Sequence, residues 1–226
     1  KLDGLIVNTS GYNDDYILSI LNQGVPIVLA DRCLKHKKKI DTVTSKNYTA
    51  TFDCIRYLHK QGYSKVAFFS QELGEISIRQ ERFLGYMNGV EHFYRQNGKD
   101  AAYIIDSKDD REYINALYKL KKKNKEEKIC IFAVNGVTLM KVITAMSKSG
   151  YMIGKDFGIC GFDDWGWASL IPPGITTITQ DSYQTGVKSA QILIDRIENG
   201  MTQRKKFVEL PTKLVERGST IPNNEK

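Results

Sequence analysis

Ile129-Cys130-Ile131-Phe132-Ala133-Val134 runs six apolar residues without a break and ends on the polar Asn135. A half-exposed strand alternates apolar and polar residues. An unbroken apolar run bounded by polar ones suits a strand buried on both faces, as in parallel sheets covered by helices. A helical-period segment, Val137–Ser149, follows and is closed by Gly150. The same unit recurs in both directions. Further strands are expected at Asp3–Val7, Pro26–Asp31, Asp41–Thr44, Lys65–Ser70, Ala101–Ile105, Lys128–Val134, Phe157–Phe162 and Ile175–Thr179. Helices are expected at Asp14–Asn22, Tyr48–Gln61, Ile78–Gln96, Arg111–Lys122 and Tyr183–Asn199, with Gly24, Gly62, Gly98 and Gly200 as further stops. This alternation predicts a doubly wound α/β protein with parallel sheets, whose ligands sit outside the carboxyl ends of the strands.

Composition agrees. The chain has 226 residues, 41% hydrophobic and 26% charged, which is ordinary globular usage rather than that of a disordered chain. Apolar runs such as Gly4–Val7 and Pro26–Ala30 fall far below the roughly 20 residues that cross a bilayer, so no membrane partner is expected. Lys1-Leu2-Asp3-Gly4 leads straight into a strand-like segment with no export signal. Cys33, Cys54, Cys130 and Cys160 lack metal-type spacing; three of them sit inside apolar stretches, where buried reduced thiols are expected, which suits a cytoplasmic compartment. The net charge of +7 allows an anionic partner. Much of it lies in Lys119–Lys128, a solvated helix end without interleaved aromatics.

Polar groups just past strand ends are the candidate site. Arg79 and Arg82, three apart near a helix start, either hold hydroxyls or a carboxylate or pair with Glu75 or Glu81. Gly161-Phe162-Asp163-Asp164-Trp165 ends a buried strand. There Asp163 either accepts sugar hydroxyls, with an indole covering the sugar ring, or caps a helix with the tryptophans packed in a seam. His36, His59 and His92 have neither metal spacing nor a nearby nucleophile. Asp156-Phe157-Gly158 lacks the companion loops of a kinase, and no phosphate loop or nucleophile elbow occurs. No catalytic residue, metal or cofactor is expected, so the chain reads as a non-enzyme.

Five ordered motifs resemble the LacI-type transcriptional repressors. Leu58-His59-Lys60-Gln61-Gly62-Tyr63-Ser64-Lys65-Val66-Ala67 is similar to their L-x-x-x-G-H-x-x-I-A run, and Arg82-x-x-Gly85-Tyr86 to R-x-x-G-F/Y. Gly161-Phe162-Asp163-Asp164 resembles G-[FY]-D-[DN], Ile175–Gln180 the L-T-T-I-x-Q crossover, and Leu214–Ser219 the L-I-x-R-x-S tail. The resemblance implies a periplasmic-binding-protein-like effector domain of two lobes joined by three crossovers near Tyr63, Gln180 and Pro211. It divides the chain into an N-terminal lobe (1–62 plus 181–210) and a C-terminal lobe (63–180 plus 211–226). The first lobe would be incomplete at its N-terminus, and no helix-turn-helix lies in this chain. Effector contacts carry over to Lys46, Ser77, Arg79, Arg82, Asn135 and Asp163, with Trp165 added for its indole.

Departures sharpen the reading. Lys46-Asn47 stands where the family usually has Asp-Asn, Gly136 where Asp often follows the asparagine, and Gln180-Asp181 for Gln-Pro. An ammonium in place of a carboxylate favours an acidic sugar, unless Lys46 turns outward or pairs with Asp163 or Asp164. Gly161–Thr177 also resembles repressors of ketodeoxygluconate operons. The implied function is a cytoplasmic sensor of a sugar or sugar acid, such as 2-keto-3-deoxygluconate, within a homodimer that binds operator DNA through a domain absent here. The competing classes are a transporter's solute-binding protein and an α/β enzyme.

Overall fold

The computed structural model describes residues 2–12, 14–34, 40–107, 109–200 and 204–221. His36 lies outside them. In chain order the elements are β1 (Leu5–Val7), α1 (Asp14–Asn22), β2 (Ile27–Ala30), β3 (Asp41–Ser45), α2 (Asn47–Lys60) and β4 (Lys65–Ser70). They continue with α3 (Ser77–Tyr94), β5 (Ala102–Ile104), α4 (Asp110–Lys123), β6 (Ile129–Ala133) and α5 (Gly136–Lys148). The last are β7 (Gly158–Phe162), β8 (Thr176–Gln180), α6 (Ser182–Asn199), β9 (Phe207–Leu210) and β10 (Thr212–Val215). They form two compact units: unit 1 (Lys1–Lys46, Gly74–Gln80, Gln180–Thr212) and unit 2 (Asn47–Leu73, Glu81–Thr179, Lys213–Lys226).

Unit 1 is built on a parallel sheet ordered β1-β2-β3-β9. Successive residues of β2 face opposite ways. Ile27 and Leu29 join Ile17 of α1 on one face, while Val28 joins Val43 and Ile192 of α6 on the other. Helices therefore cover both faces, as unbroken apolar strands require. Asp41 opens β3 as a buried acceptor. It takes Arg196 bidentately (Nε 3.0 Å, Nη2 2.8 Å) and the Lys206 amide at 2.7 Å, tying α6 to the segment that leads into β9.

Unit 2 holds a six-stranded sheet ordered β10-β8-β7-β6-β4-β5. Val66, Phe68, Cys130, Phe132, Cys160 and Phe162 pack with Cys54, Ile55 and Leu58 of α2 and Tyr86 and Val90 of α3. Ala67, Phe69, Ile129, Ile131 and Ile159 pack with Leu117 of α4 and Val142 of α5 on the other face. The four cysteines are free and buried. A contact with Cys160 at 3.9 Å and burial push the Cys54 thiol well up, so it stays protonated.

The structure departs from the sequence expectation in three places. The expected N-terminal lobe includes 47–62, but α2 belongs to unit 2 because Cys54, Ile55 and Leu58 bury against β4 and β6. The chain passes between the units at Lys46–Asn47, Leu73–Gly74, Gln80–Glu81, Thr179–Gln180 and Thr212–Lys213. Gly98 does not end α3. Arg95 takes the left-handed conformation there (φ 58°), and Gly98 opens a short 3-10 helix where a Cβ would meet Met87 Sδ at 2.8 Å. Strands β9 and β10 were not expected; Pro211, with no N–H to donate, separates them.

Candidate ligand-binding site

The Arg82-x-x-Gly85-Tyr86 motif does three jobs in one turn and a half of α3. A Cβ on Gly85 would stand 2.5 Å from the Tyr48 carbonyl oxygen, so glycine lets α3 lie directly on α2. The Tyr86 hydroxyl donates toward the carbonyls of Val66 and Gly98, each at 3.0 Å, pinning the helix to β4. Arg82 is then carried over the carboxyl ends of β6 and β7, only 1% exposed. Its Nε donates to Asn47 Oδ1 at 2.8 Å and Nη1 to the Val134 carbonyl at 2.8 Å. The guanidinium carbon lies 3.6 Å from the Phe162 ring centroid, and Nη1 stands 4.0 Å from Asp163 Oδ2. A buried guanidinium held in this way presents its donors in a fixed plane, the geometry for a carboxylate or paired hydroxyls.

Asp163 adopts φ 73°, while its amide donates to Ile178 O at 2.9 Å as the ladder would continue. No helix starts behind it, so the capping alternative falls; its Oδ2 instead faces the Gly136 amide at 3.5 Å. Its neighbour Asp164 binds Arg217 and Thr177 Oγ1. Burial pushes the Asp164 carboxyl up. Arg217, the Gly166 amide and Thr177 outweigh it and hold the group below its ordinary value. Arg217 also donates to Ile175 O and Thr177 Oγ1, so the tail motif braces the turn that carries Asp163.

Asn135 is the N-cap of α5, accepting from Thr138 N at 2.9 Å and donating to Gln71 Oε1 at 3.1 Å. The indole of Trp165, 60% exposed, lies over Gly136: a Cβ there would be 2.9–3.1 Å from three ring carbons. Glycine at this position thus makes room for the ring. Unit 2 therefore gathers Arg82, Asn135, Asp163 and Trp165 from three separate sequence regions.

Unit 1 carries the other expected residues. Lys46 is exposed just past β3, its amide donating to Leu210 O at 3.0 Å. Ser77 is buried, and its Oγ accepts from the Cys33 amide at 2.9 Å, a structural contact. Arg79 is half-buried in the first turn of α3. Sequence reasoning did not select Asn47, Gln71 or Arg217, although the Lys46-Asn47 pair and the tail motif had marked two of them. His59 makes tilted and edge-on ring contacts with Phe93 and Tyr94, and His92 with Phe52 and Phe93. Among the described residues no group of three or more His, Cys, Asp or Glu could hold a metal ion, and no helix is long and apolar enough to cross a membrane.

Parallel α/β units with a buried arginine, a carboxylate, an amide and an indole at the strand ends carry the donors, acceptors and apolar face that a small polar molecule requires. By its match to the family's model over residues 55–220, the chain belongs to the periplasmic binding protein-like domain family. The helix-turn-helix-type transcriptional regulator KdgR of Bacillus subtilis is 36% identical over 97% of this chain and 64% of its own length. The chain thus spans less than two thirds of that relative. Among solved structures, a putative LacI regulator from Bacillus cereus superposes with a TM-score of 0.81 at 25% identity, covering 95% of this chain and 75% of the other. A LacI family regulator from Enterococcus faecium with bound ribose does so at 0.80 and 23%, covering 98% and 80%. The resemblance carried by the five motifs is therefore that of the relatives themselves.

Proposed function

We propose that this chain is the sensing part of a LacI-type transcriptional regulator, binding a small sugar or sugar acid reversibly and without turnover. In the whole protein, a homodimer in the cytoplasm, the bound state is passed to a helix-turn-helix that reads operator DNA. The observation that carries the reading is Arg82, held by Asn47 and the Val134 carbonyl beside Asp163, with no activated nucleophile in the group. Trp165 adds an exposed apolar face, suited to the C–H side of a sugar ring. The regulator half of the proposal draws on the printed names of the relatives. The sugar-acid half draws on Lys46 and on the likeness to ketodeoxygluconate repressors, and 2-keto-3-deoxygluconate is the ligand we assign.

Calorimetry of the chain against sugars and sugar acids, with product analysis of each mixture, tests the sensing half. Saturable binding with unchanged ligand is expected; chemical conversion, or no binding by any member, overturns it. The coding sequence upstream tests the other half. A helix-turn-helix is expected there, and an export signal would make the chain a solute-binding protein instead.

A further inference from the structure

Strands β4, β6 and β7 of unit 2 run parallel, so their amino ends lie side by side along one edge of the sheet. Lys65 stands level with Ile129, and Cys130 with Gly158. Arg82 and Asp163 occupy the opposite, carboxyl edge. Along the chain, Lys119–Lys128 reads as a solvated helix end, with six lysines against two glutamates. The fold does not leave that segment isolated. Lys65 Nζ, at the start of β4, donates to Asn124 Oδ1 at 2.8 Å and draws the end of α4 onto the amino edge. Lys121 Nζ donates to the Asp156 carbonyl at 3.2 Å, which sets α4 against the turn that holds Lys155 ahead of β7. Lys128 Nζ, just ahead of β6, reaches the Gln61 carbonyl past the end of α2 at 3.1 Å.

Lys65, Lys121 and Lys128 thus spend donors on the fold, whereas Lys122, Lys123, Lys125 and Lys155 are exposed around them. The acids are fewer. Glu127 pairs with Lys65 at 3.3 Å, Asp156 accepts the Met152 amide at 2.8 Å, and Glu126 is exposed. Cations in a last turn complement the helix dipole, which accounts for Lys121, Lys122 and Lys123. It does not account for Lys125, Lys128 or Lys155, which lie beyond α4. Like charges gathered on one edge repel one another and draw in an anionic partner. Two rings stand among the ammonium groups: Tyr63, 4.7 Å from Lys128 Nζ, and Tyr118, 58% exposed and 5.9 Å from Lys122 Nζ. Protein–protein interfaces are depleted in lysine and built on an apolar centre, whereas protein–DNA interfaces are far more positive and rich in phosphate contacts. Among the described residues, Tyr118 and Met152 are the large apolar side chains exposed beside these lysines, too few for such a centre.

We propose that the amino edge of the unit 2 sheet is a contact surface for double-stranded DNA, taking the phosphate backbone without reading sequence. The surface is separate from the ligand site and stands whether or not a sugar acid is the ligand. It adds a second DNA contact, on this chain itself, to the helix-turn-helix assigned to the whole protein.

Fluorescence anisotropy of the full chain with short labelled duplexes of two unrelated sequences, followed as salt is raised, tests it. Equal binding of both duplexes is expected, with log K falling linearly in log salt by about 0.9 for each phosphate neutralised. A triple variant, Lys122→Gln with Lys123→Gln and Lys125→Gln, removes three of the charges. Glutamine is about as good a helix former as lysine, so the variant should melt as the unaltered chain does. It is expected to flatten the salt slope by about 2.7 and to weaken binding at least about ten-fold at about 50 mM salt. A charge-matched variant, Lys188→Gln with Arg204→Gln and Lys213→Gln, alters exposed positions elsewhere and is expected to keep most of the slope. Equal loss in the two variants would mean that net charge rather than this edge holds the DNA, and overturns the inference. Absence of binding at the lowest salt, or a clear preference for one duplex, overturns it as well. Labelled polyglutamate bound as tightly as DNA, and lost in the first variant, would give the edge to an acidic protein instead.

Discussion

Arg82 shows how one residue can serve fold and site at once. Its donors reach Asn47 and Val134, and its plane covers Phe162, so its removal leaves buried acceptors without their charged donor. Truncating one partner of such a contact costs about 2–5 kcal/mol of ligand binding. Arg82→Ala should therefore bind sugar acid tens to thousands of times more weakly by calorimetry. Arg82→Lys should recover the fold but not the affinity, because an ammonium cannot fork. Wild-type affinity in a folded Arg82→Ala protein would take Arg82 out of the site. Asp164 offers a pH test. Its folded pKa is depressed, so its contribution to stability is present above the ordinary carboxylate range, about pH 4, and is lost as pH falls through the folded value. Asp164→Asn should accordingly lower the urea midpoint at pH 7, and the gap to the unaltered chain should close in acid. A gap that stays constant to pH 3 would mean that the Arg217 contact carries no linkage.

At the scale of elements, the pattern of apolar runs and glycine stops was enough to place eight strands and six helices. Lys65–Ser70 and Asp14–Asn22 match to the residue. Burial on both faces makes the runs unbroken, and that signal survives in a single sequence. Phe207–Leu210 and Thr212–Val215 escaped because they are short edge strands with alternating exposure, cut by Pro211, and so carry no such run. Gly85 makes the strongest element-scale prediction. With the Tyr48 carbonyl 2.5 Å from the position of a Cβ, Gly85→Ala must drive α3 off α2. Overpacking of this kind costs about 1–3 kcal/mol, visible as a lowered urea midpoint. An unchanged midpoint would show that the helix pair tolerates a wider separation.

For the molecule as a whole, fold class was legible from patterning, and the family from five short motifs spread along the chain. The grouping of residues into units was not, because α2 follows β3 in sequence yet buries its apolar face under β4 and β6. Charge is the property that acts over the entire chain. With 33 basic against 26 acidic residues, the net +7 draws acids toward it, and Lys46 places one of those cations just past a strand end. Field and local contact make separable contributions. The general field is screened within about 8 Å at physiological salt, whereas a buried donor such as Arg82 is screened far less. A sugar acid should therefore bind better than its neutral alcohol at low salt, and raising the salt should reduce the advantage without abolishing it. Lys46→Asp, at an exposed position, should leave the melting temperature unchanged and reduce or invert the preference. Equal binding of gluconate and glucitol to the unaltered chain at low salt would remove the acid from the assignment. The domain would then be read as a sensor of neutral sugars, with Lys46 turned to solvent.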